Sequence, residues 1–480
     1  MAKTRKKHYK LSVFLLALLL LIGCTLVGGL VYLKVTGLGD AFFSQVTDFF
    51  KTGGIYSILL LIWMLLIPIL LVILLIVGIR RRKKMNEMRF VWQEAVRETA
   101  ARIERERAER EAKKNAVPPP RFGMLAELDK AAAKRAVSDN SVHSLQSLCE
   151  KFRIFAAAKL GLYYDISVIR QFIAGLAVSH ILILQGISGT GKTSLAYAFG
   201  EFLGNPSVII PVQPMWKERT DLLGYYNEFT KKFNETLLLD KMYEANRSNQ
   251  IYIAVLDELN IARVEYYFAE FLSLLEIPDP ESRYLEVVPD VWRNDPKGLK
   301  DGRIRLPENM WFIGTVNNDD STFAISDKVY DRAMVLDLNR KAERFALTGE
   351  DMRQGSVSFP MDEFRTLVAS EQEWFELTAR NESRLRVLDE YLIRTFQITF
   401  GNRIMKQIRN YVSVYVACGG EELDALDDIL CKKVLRKLVA LNAAYVRSEA
   451  DAFCRFLDDL FGEGRMVQCQ DYIRRIARNG

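Results

Sequence analysis

The chain has 480 residues and a mass of 55.0 kDa, a length that predicts about three domains. Hydrophobic residues make up 49% and charged residues 26% of the sequence, which excludes a disordered or collagen-like chain. The six cysteines are too sparse for a disulfide scaffold, and neither they nor the three histidines show zinc-ligand spacing.

Two short clusters account for the net charge of +6. Five lysines and arginines lie between Lys3 and Lys10, and five more form the run Arg80–Lys84. Without these ten, 56 basic residues remain against 60 acidic ones, so the rest of the chain is weakly acidic. The pI of about 8.8 therefore does not indicate a basic nucleic-acid surface.

Two uncharged stretches predict a membrane anchor over residues 1–84. Leu11–Leu33 has 23 residues and Ile55–Ile79 has 25, each long enough to cross a hydrocarbon core of about 30 Å. The basic clusters lie before the first stretch and after the second, which places both ends of the anchor in the cytoplasm. We therefore expect a multi-pass protein with two spans in the inner (cytoplasmic) membrane of a prokaryote.

An alternative interpretation concerns the first stretch. A basic start followed by an apolar run is also typical of a signal peptide, and Leu21–Cys24 resembles the cleavage box of bacterial lipoproteins. The apolar run continues to Leu33, beyond any cleavage point, which favours a membrane span. Whether Cys24 carries a lipid stays open, and both interpretations leave the chain after Arg80 in the cytoplasm.

Residues 85–120 are predicted to form a charged helical stalk that ends in a proline linker. Acidic and basic residues balance over 85–115 and recur four residues apart, which favours an exposed helix. Pro118, Pro119 and Pro120 cannot continue that helix and mark the linker.

A phosphate-binding loop follows a β-rich run in the next domain. His180–Gln185 leads into Gly186-Ile-Ser-Gly-Thr-Gly-Lys192-Thr193, which fits the pattern GxxxxGK[ST] and precedes a helical segment. Glycines let backbone N–H groups surround phosphates at a helix N-terminus, Lys192 brings a charge to the β- and γ-phosphates, and the Thr193 hydroxyl is a Mg²⁺ ligand. The predicted nucleotide-binding residues are Gly186, Ser188, Gly189, Thr190, Gly191, Lys192, Thr193 and Ser194.

A second strand ends in two carboxylates. Ile251–Leu256 is apolar and is followed by Asp257 and Glu258. An acid at the carboxyl end of a strand faces the crevice where ligands bind to open α/β sheets. We expect Asp257 to complete the Mg²⁺ shell with Thr193, and Glu258 to activate the attacking water.

A third strand, Met310–Thr315, leads to Asn317, which is predicted to contact both the γ-phosphate and the attacking water. With the runs Val208–Val212 and Ala333–Leu338, five strands alternate with helical segments. This order predicts an α/β fold with a five-stranded parallel sheet. The sheet would belong to a nucleotide-binding domain over residues 121–340, which includes leading helices.

These motifs resemble those of AAA+ ATPases, in the dynein-related branch that includes McrB-like and MoxR-like proteins. The resemblance extends over about residues 150–440. Besides the P-loop, it rests on the segments Asp221-Leu-Leu-Gly-Tyr-Tyr226, Leu256-Asp-Glu-Leu-Asn-Ile-Ala-Arg263, Gly314-Thr-Val-Asn-Asn318 and Ser326-Asp-Lys-Val-Tyr-Asp-Arg332.

The resemblance implies a P-loop NTPase domain followed by an insertion and a helical lid over 341–480, usually assembled as a homo-hexameric ring. Asn317 matches the sensor-1 position, and Arg403, in the sequence Phe-Gly-Asn-Arg, matches the sensor-2 arginine of the lid. Arg332 matches the arginine finger that reaches a neighbour's nucleotide. McrB-like proteins often carry a run of arginines ending in Phe at this point, and this sequence does not, so Arg340 is the alternative finger.

The function that follows from the resemblance is a membrane-anchored, Mg²⁺-dependent ATP hydrolase that remodels or translocates a protein or nucleic acid. GTP stays open as the nucleotide, because McrB-like proteins use it. A role as the motor of a McrB-like defence system would need a separately encoded nuclease. The alternatives are a MoxR-like chaperone and a low-turnover scaffold that organises a membrane complex. Aromatic and basic residues in Pro214–Asn227 are candidates for substrate contacts, with packing against helices as the alternative.

Overall fold

A computed structural model of the chain describes residues 21, 23–25, 27–37, 39–115, 120–132, 142–317 and 322–479. The chain divides into two compact units, Met1–Ala116 and Val117–Gly480, and each is described by itself. The first basic cluster, most of the predicted span Leu11–Leu33 and most of the proline linker lie outside the described residues.

The described part of the first unit is helical. Its helices are α1 (Gly23–Val35), α2 (Asp40–Thr52) and α3 (Gly54–Asn115). The 62-residue α3 runs through both the second predicted span and the predicted stalk, so the helix expected over 85–115 is confirmed.

Among the described residues, which omit the side chains of several α3 residues between positions 57 and 71, no single helix is long and apolar enough to cross a membrane. The helices α1 and α2 meet the requirement together, as a pair bent by 109°.

The second unit is built on a parallel sheet. Its strands are, in chain order, β1 (Ile181–Gly186), β2 (Val208–Pro211), β3 (Gly224–Asn227), β4 (Lys232–Glu235), β5 (Tyr252–Asp257), β6 (Tyr284–Glu286), β7 (Arg303–Arg305), β8 (Met310–Asn317) and β9 (Met334–Asp337). Five of them pair in parallel in the order β2-β5-β8-β1-β9, which confirms the predicted five-stranded parallel sheet. The others form two antiparallel hairpins, β3–β4 and β6–β7, which the sequence patterns did not predict.

Helices cover the sheet and make up the C-terminal part. Before and between the strands lie α4 (Met124–Lys130), α5 (Leu145–Leu160), α6 (Ile166–Val178), α7 (Lys192–Phe202), α8 (Thr220–Leu223), α9 (Leu237–Ala245), α10 (Val264–Tyr267), α11 (Ala269–Leu274) and α12 (Asp327–Tyr330). After β9 come α13 (Met361–Gln372), α14 (Ala379–Phe396), α15 (Asn402–Ala417), α16 (Glu422–Lys433), α17 (Ala443–Phe461) and α18 (Val467–Asn479). The predicted helical C-terminal part is therefore confirmed.

Two hydrophobic cores lie on opposite faces of the sheet, because successive side chains of a strand point to opposite sides. Ile181 and Ile183 of β1 pack in a core with α9, α10, α11 and both hairpins. Leu182 and Leu184 pack in the other core with α5, α6, α7 and the C-terminal helices. The C-terminal helices thus share a continuous core with one face of the sheet.

The stretch 341–399 had no predicted task and contains α13 and α14. The ring of Phe364 on α13 lies 5.2 Å from that of Trp311 on β8, centroid to centroid. The helix α13 therefore belongs to the hydrophobic core that covers one face of the sheet.

Candidate nucleotide-binding site

The predicted P-loop joins the end of β1 to the start of α7. Gly186, Gly189 and Gly191 have φ angles of 147°, 78° and 90°, in the region that favours glycine. A Cβ at Gly186 would lie 2.3 Å from the carbonyl oxygen of Leu338, so a side chain there would collide with the backbone after β9. The loop thus keeps the shape that points N–H groups at an anion at the N-terminus of α7.

The ammonium group of Lys192 is buried inside this loop. Its Nζ donates hydrogen bonds to the carbonyl oxygens of Gly186, at 3.1 Å, and of Ile187, at 2.9 Å. Thr190 closes the loop with a hydrogen bond from its Oγ1 to the same carbonyl of Ile187, at 2.9 Å. Ser188 lies in the turn and Ser194 in the first turn of α7. The predicted binding residues therefore all lie in the loop after β1 and in the first turn of α7.

The two predicted metal ligands are in direct contact. Thr193 Oγ1 donates a hydrogen bond to Asp257 Oδ1 at 2.7 Å, and the buried Thr315 of β8 donates to the same oxygen at 2.7 Å. The Thr315 oxygen in turn accepts a hydrogen bond from the backbone N–H of Glu258 at 2.9 Å. Thr315 was not assigned a role from the sequence, although it lies within the Gly-Thr-Val-Asn motif that carries the resemblance.

Glu258 lies directly after β5 in a left-handed conformation, with φ 55° and ψ 50°. Such a conformation costs a non-glycine residue on the order of 1–3 kcal/mol and persists only where the surroundings enforce it. Here the hydrogen bond to Thr315 and the 3₁₀ turn Leu259–Ile261 enforce it. The Glu258 side chain is exposed, so its carboxylate is available to solvent at the sheet edge.

Asn317 is the partner of Gly186 in the parallel pairing of β8 with β1, which brings its side chain to the edge that carries the P-loop. The buried Asn260 holds its backbone: Asn260 Nδ2 lies 3.3 Å from the Asn317 carbonyl oxygen and 2.8 Å from Thr322 Oγ1. Residues 318–321 lie outside the described residues. Asn260 belongs to the second motif of the resemblance but had no predicted role.

Tyr164 supports the P-loop from a distant part of the sequence. Its hydroxyl donates a hydrogen bond to the carbonyl oxygen of Gly191 at 3.2 Å. Burial raises the pKa of this phenol above its usual value, so it stays a neutral donor. The contact depends on how the loop between α5 and α6 packs, and sequence spacing carries no signal for it.

The groups at this edge fit a nucleotide with Mg²⁺. A carboxylate oxygen and a hydroxyl oxygen are the hard ligands that Mg²⁺ prefers, and the cation commonly binds through one or two carboxylates together with phosphates and water. The described residues contain no cluster of three or more His, Cys, Asp or Glu side chains able to hold a metal ion. The Asp257–Thr193 pair therefore suits an ion whose other ligands come from the nucleotide and water.

The two predicted arginines lie at the opposite edge of the sheet. Arg332 precedes β9, and its carbonyl oxygen accepts a hydrogen bond from Ser179 Oγ, just before β1, at 2.9 Å. The P-loop follows the other end of β1, about 17 Å away along the strand. Arg403 of α15 lies beside Arg332, so the structure brings the two arginines together but not near their own P-loop.

Both arginines bind one carboxylate. Arg332 Nη2 lies 2.8 Å from Glu276 Oε2, and Arg403 Nη1 binds the Oε1 of the same group. The hydrogen bond from Arg332 first, and then the charges of both arginines, lower the pKa of Glu276. Glu276 was not predicted, because it follows α11 far from both arginines in sequence.

A cavity of about 440 Å³ opens at this amino edge. Its lining includes Ser179, His180, Glu276, Arg332, Arg403 and Gln407. The alternative finger, Arg340, is exposed after the carboxyl end of β9, on the P-loop side of the sheet. The two candidates for the finger therefore lie at opposite edges.

Part of this chain is similar to known proteins. Residues 181–333 match the family described as AAA domain (dynein-related subfamily), and no curated protein sequence matches the chain. An inferred ATPase of Cytophaga hutchinsonii ATCC 33406 is similar in structure, with a TM-score of 0.37, 12% identity and coverage of 58% of this chain and 81% of its own. A full-length MCM homolog from Methanopyrus kandleri has a TM-score of 0.32 and 13% identity, and the match covers 57% of this chain and 55% of that protein. The family match begins at β1 and ends at the residue before β9.

Proposed function

We propose that this chain is a membrane-anchored AAA+ ATPase that couples Mg²⁺-dependent hydrolysis to the remodelling or translocation of a protein or nucleic-acid substrate. The observation that carries the proposal is the hydrogen-bonded chain Thr193–Asp257–Thr315–Glu258 beside the P-loop. It joins a pair of proposed metal ligands to the backbone of Glu258, whose exposed carboxylate can act on water, a combination that phosphoryl transfer uses. AAA domains are generally nucleotide hydrolases, which supports the same conclusion.

The chemistry of each group supports a separate task. The N–H groups at the start of α7 and the Lys192 ammonium bind and orient the phosphates. Mg²⁺, when held by Thr193 and Asp257, supplies positive charge to the phosphate oxygens. Glu258 accepts the proton of the attacking water, and Asn317 orients that water. ATP is the proposed nucleotide, and GTP is the alternative that the resemblance to McrB-like proteins leaves open.

Hydrolysis in this proposal is completed between subunits of a homo-hexameric ring, the assembly that the resemblance to AAA+ ATPases implies. Arg332 lies about the length of β1 from its own P-loop, which exceeds the reach of an arginine side chain. That position supports a contact with the nucleotide of a neighbouring subunit. Arg403 lies at the same edge of the sheet, because it binds the same carboxylate of Glu276.

The membrane part of the proposal rests on the two uncharged stretches and the basic clusters beside them. Residues 1–84 would anchor the chain in the inner membrane of a prokaryote, with the AAA domain in the cytoplasm. A cysteine placed within 34–54 should then react with an impermeant thiol reagent in intact cells once Cys24 is replaced. A cysteine within 85–115 should not react. The reverse labelling pattern would contradict the topology.

Some candidate substrate-contact residues serve the fold instead. The ring of Trp216 packs on that of Tyr267 at 5.5 Å between centroids, and Arg219 forms an ion pair with a carboxylate of α11 at 2.8 Å. By contrast, Tyr225 is 55% exposed, and Phe229, between β3 and β4, is fully exposed. We therefore place the proposed substrate contact at the tip of this hairpin. Identification of the proteins that bind this chain would distinguish a role in a McrB-like defence system from a role as a MoxR-like chaperone.

The deciding experiment compares phosphate release by the full-length chain with that of Glu258→Gln. The variant should bind ATP as the parent does but hydrolyse it at least about 10²-fold more slowly, since it lacks the general base. Glu390→Gln, at an exposed position of α14, is the matched control and should retain the parent rate. Parent-like turnover by Glu258→Gln would refute the assignment of the base. Binding without turnover in the parent itself would favour the scaffold alternative.

A further inference from the structure

The backbone around Arg332 is held by a buried lysine of the lid. Lys433, the last residue of α16, donates hydrogen bonds from Nζ to the carbonyl oxygens of Tyr330, at 2.8 Å, of Asp331, at 3.3 Å, and of Ala333. These carbonyls flank Arg332 on both sides. The lysine thus fixes the path of the chain between α12 and β9 at the residue that carries the guanidinium.

Lys433 is an unusual residue for this position, because its side chain is almost completely buried, with 4% of its surface exposed. Lysines are rarely buried unless their charge is compensated. Burial lowers the pKa of Lys433 to about 7, with Arg403 and Arg436 lowering it further and Asp331 opposing them. An apolar side chain would fill the same space, but it would leave the three carbonyl oxygens without this donor. The amine therefore fixes the backbone on both sides of Arg332, which an apolar side chain could not do.

The side chain of Arg332 is linked to the lid through Glu276. Glu276 accepts a hydrogen bond from Arg332 through one oxygen and from Arg403 through the other. Arg403 belongs to α15, which packs against α16 in the lid. Arg332 Nη1 also donates to the Lys328 carbonyl oxygen at 3.1 Å, which fixes the plane of the guanidinium. Backbone and guanidinium of Arg332 are thus both tied to the lid.

We propose that the lid sets the position of Arg332, with Lys433 holding its backbone and the Glu276–Arg403 pair holding its guanidinium. Lys433 and Glu276 are then positioning residues for hydrolysis in the neighbouring subunit. The inference rests on the proposed action of Arg332 between subunits. It adds that a movement of the lid in one subunit changes the arginine presented to the next one.

The contacts could instead serve only the stability of the subunit that contains them. The two roles differ in where the damage appears. A merely structural defect would impair the variant's own nucleotide pocket. A positioning defect leaves that pocket intact and impairs the pocket of the neighbour, so it can be rescued by a neighbour with an intact arginine.

The test uses the full-length chain with Lys433→Met and, separately, Glu276→Gln. We expect each variant to bind nucleotide within about twofold of the parent and to lose about 10² in kcat, since a misplacement of about 1 Å can have that effect. Lys406→Met, an exposed lysine of α15, is the matched control and should hydrolyse at the parent rate. Because Glu276 is 38% exposed, its variant also tests the proposal if Lys433→Met fails to fold.

Mixed assemblies then locate the defect. Either variant should recover activity when mixed with Lys192→Ala, which has a dead pocket and an intact arginine, but not when mixed with Arg332→Ala. The proposal is overturned if Lys192→Ala rescues Arg332→Ala but rescues neither positioning variant, or if Glu276→Gln keeps or exceeds the parent rate. If Lys192→Ala fails to rescue even Arg332→Ala in confirmed mixed assemblies, the action between subunits is wrong and this inference falls with it.

Discussion

The two edges of the central sheet carry different chemistry. At the carboxyl edge, Thr193 and Thr315 direct hydroxyl groups at the half-buried carboxylate of Asp257, next to the P-loop. At the amino edge, Arg332 and Arg403 share one carboxylate beside a cavity. The first arrangement suits phosphate and metal, and the second suits negative charge that arrives from outside the subunit. In the proposed function, nucleotide binding and charge stabilisation during hydrolysis therefore occupy separate places, about one strand length apart.

The largest effect is expected at the carboxyl edge. Lys192→Ala should abolish nucleotide binding or nearly so, because it removes the cation buried in the P-loop. Titration with a fluorescent nucleotide analogue measures this directly. The exposed Lys406→Ala provides the comparison and should bind as the parent does. Binding that survives in Lys192→Ala would mean that the phosphates bind elsewhere, and the contrast between the two edges would lose its basis.

A change at the amino edge should leave binding intact and impair hydrolysis alone. Arg332→Ala is expected to lower kcat by a factor of about 10³, the effect of losing an arginine that stabilises the transition state in trans. Its nucleotide affinity should stay at the parent value, because its own pocket is unchanged. Steady-state hydrolysis measures the expected loss in kcat, and nucleotide titration of the same preparation measures the expected unchanged affinity.

Mixing Arg332→Ala with Lys192→Ala sharpens the same prediction. Some interfaces of a mixed ring combine an intact pocket from the first protein with an intact arginine from the second, and these should recover part of the activity. If mixed rings form and recover nothing, Arg332 does not act on its neighbour. Arg340, on the P-loop side of the sheet, would then be the next residue to test.

The carboxyl edge could be predicted from sequence because each of its parts is local. The P-loop from Gly186 to Thr193 is one turn between a strand and a helix, and Asp257 follows an apolar run directly. Parallel strands end at one edge of a sheet, so the contact between Thr193 and Asp257 follows once the strands are recognised. The five-stranded sheet was predictable for the same reason. The strand order was not, because it depends on crossovers that leave no local signal.

The amino edge shows what local patterns miss. Arg332 and Arg403 were recognised one by one, but the carboxylate that joins them, Glu276, follows α11 in a different part of the chain. Lys433 had no predicted role, because only tertiary packing buries it. The role of Thr315 in β8 was likewise not predictable, because a threonine in a strand is usual and its partner Asp257 comes from another strand.

A smaller effect is expected at Thr315, whose hydroxyl connects the carboxylate of Asp257, the proposed metal ligand, to the backbone of Glu258, the proposed base. Thr315→Val keeps the shape of the side chain but removes the donor to Asp257 and the acceptor of the Glu258 N–H. We expect kcat to fall about tenfold, or about 1.4 kcal/mol in transition-state free energy, with little change in nucleotide affinity. Thr315→Ser retains the hydroxyl and should restore most of the activity. Equal losses in both variants would indicate a packing defect rather than a broken hydrogen-bond chain.

The smallest effect concerns stability and pH at the amino edge. The folded protein holds Lys433 with a pKa of about 7, whereas the unfolded chain keeps this proton up to about pH 10.4. Between these values the unfolded state binds more protons, so the contribution of Lys433 to stability should rise with pH, by at most about 1.4 kcal/mol per unit, and stay constant below pH 7. The melting temperature of the parent relative to Lys433→Met should therefore increase from pH 7 to 9. The same comparison with the exposed Lys406→Met should show no trend. A difference for Lys433→Met that does not change over this range would mean that the carbonyls of Tyr330, Asp331 and Ala333 keep the amine charged, and that the hold on Arg332 is insensitive to pH.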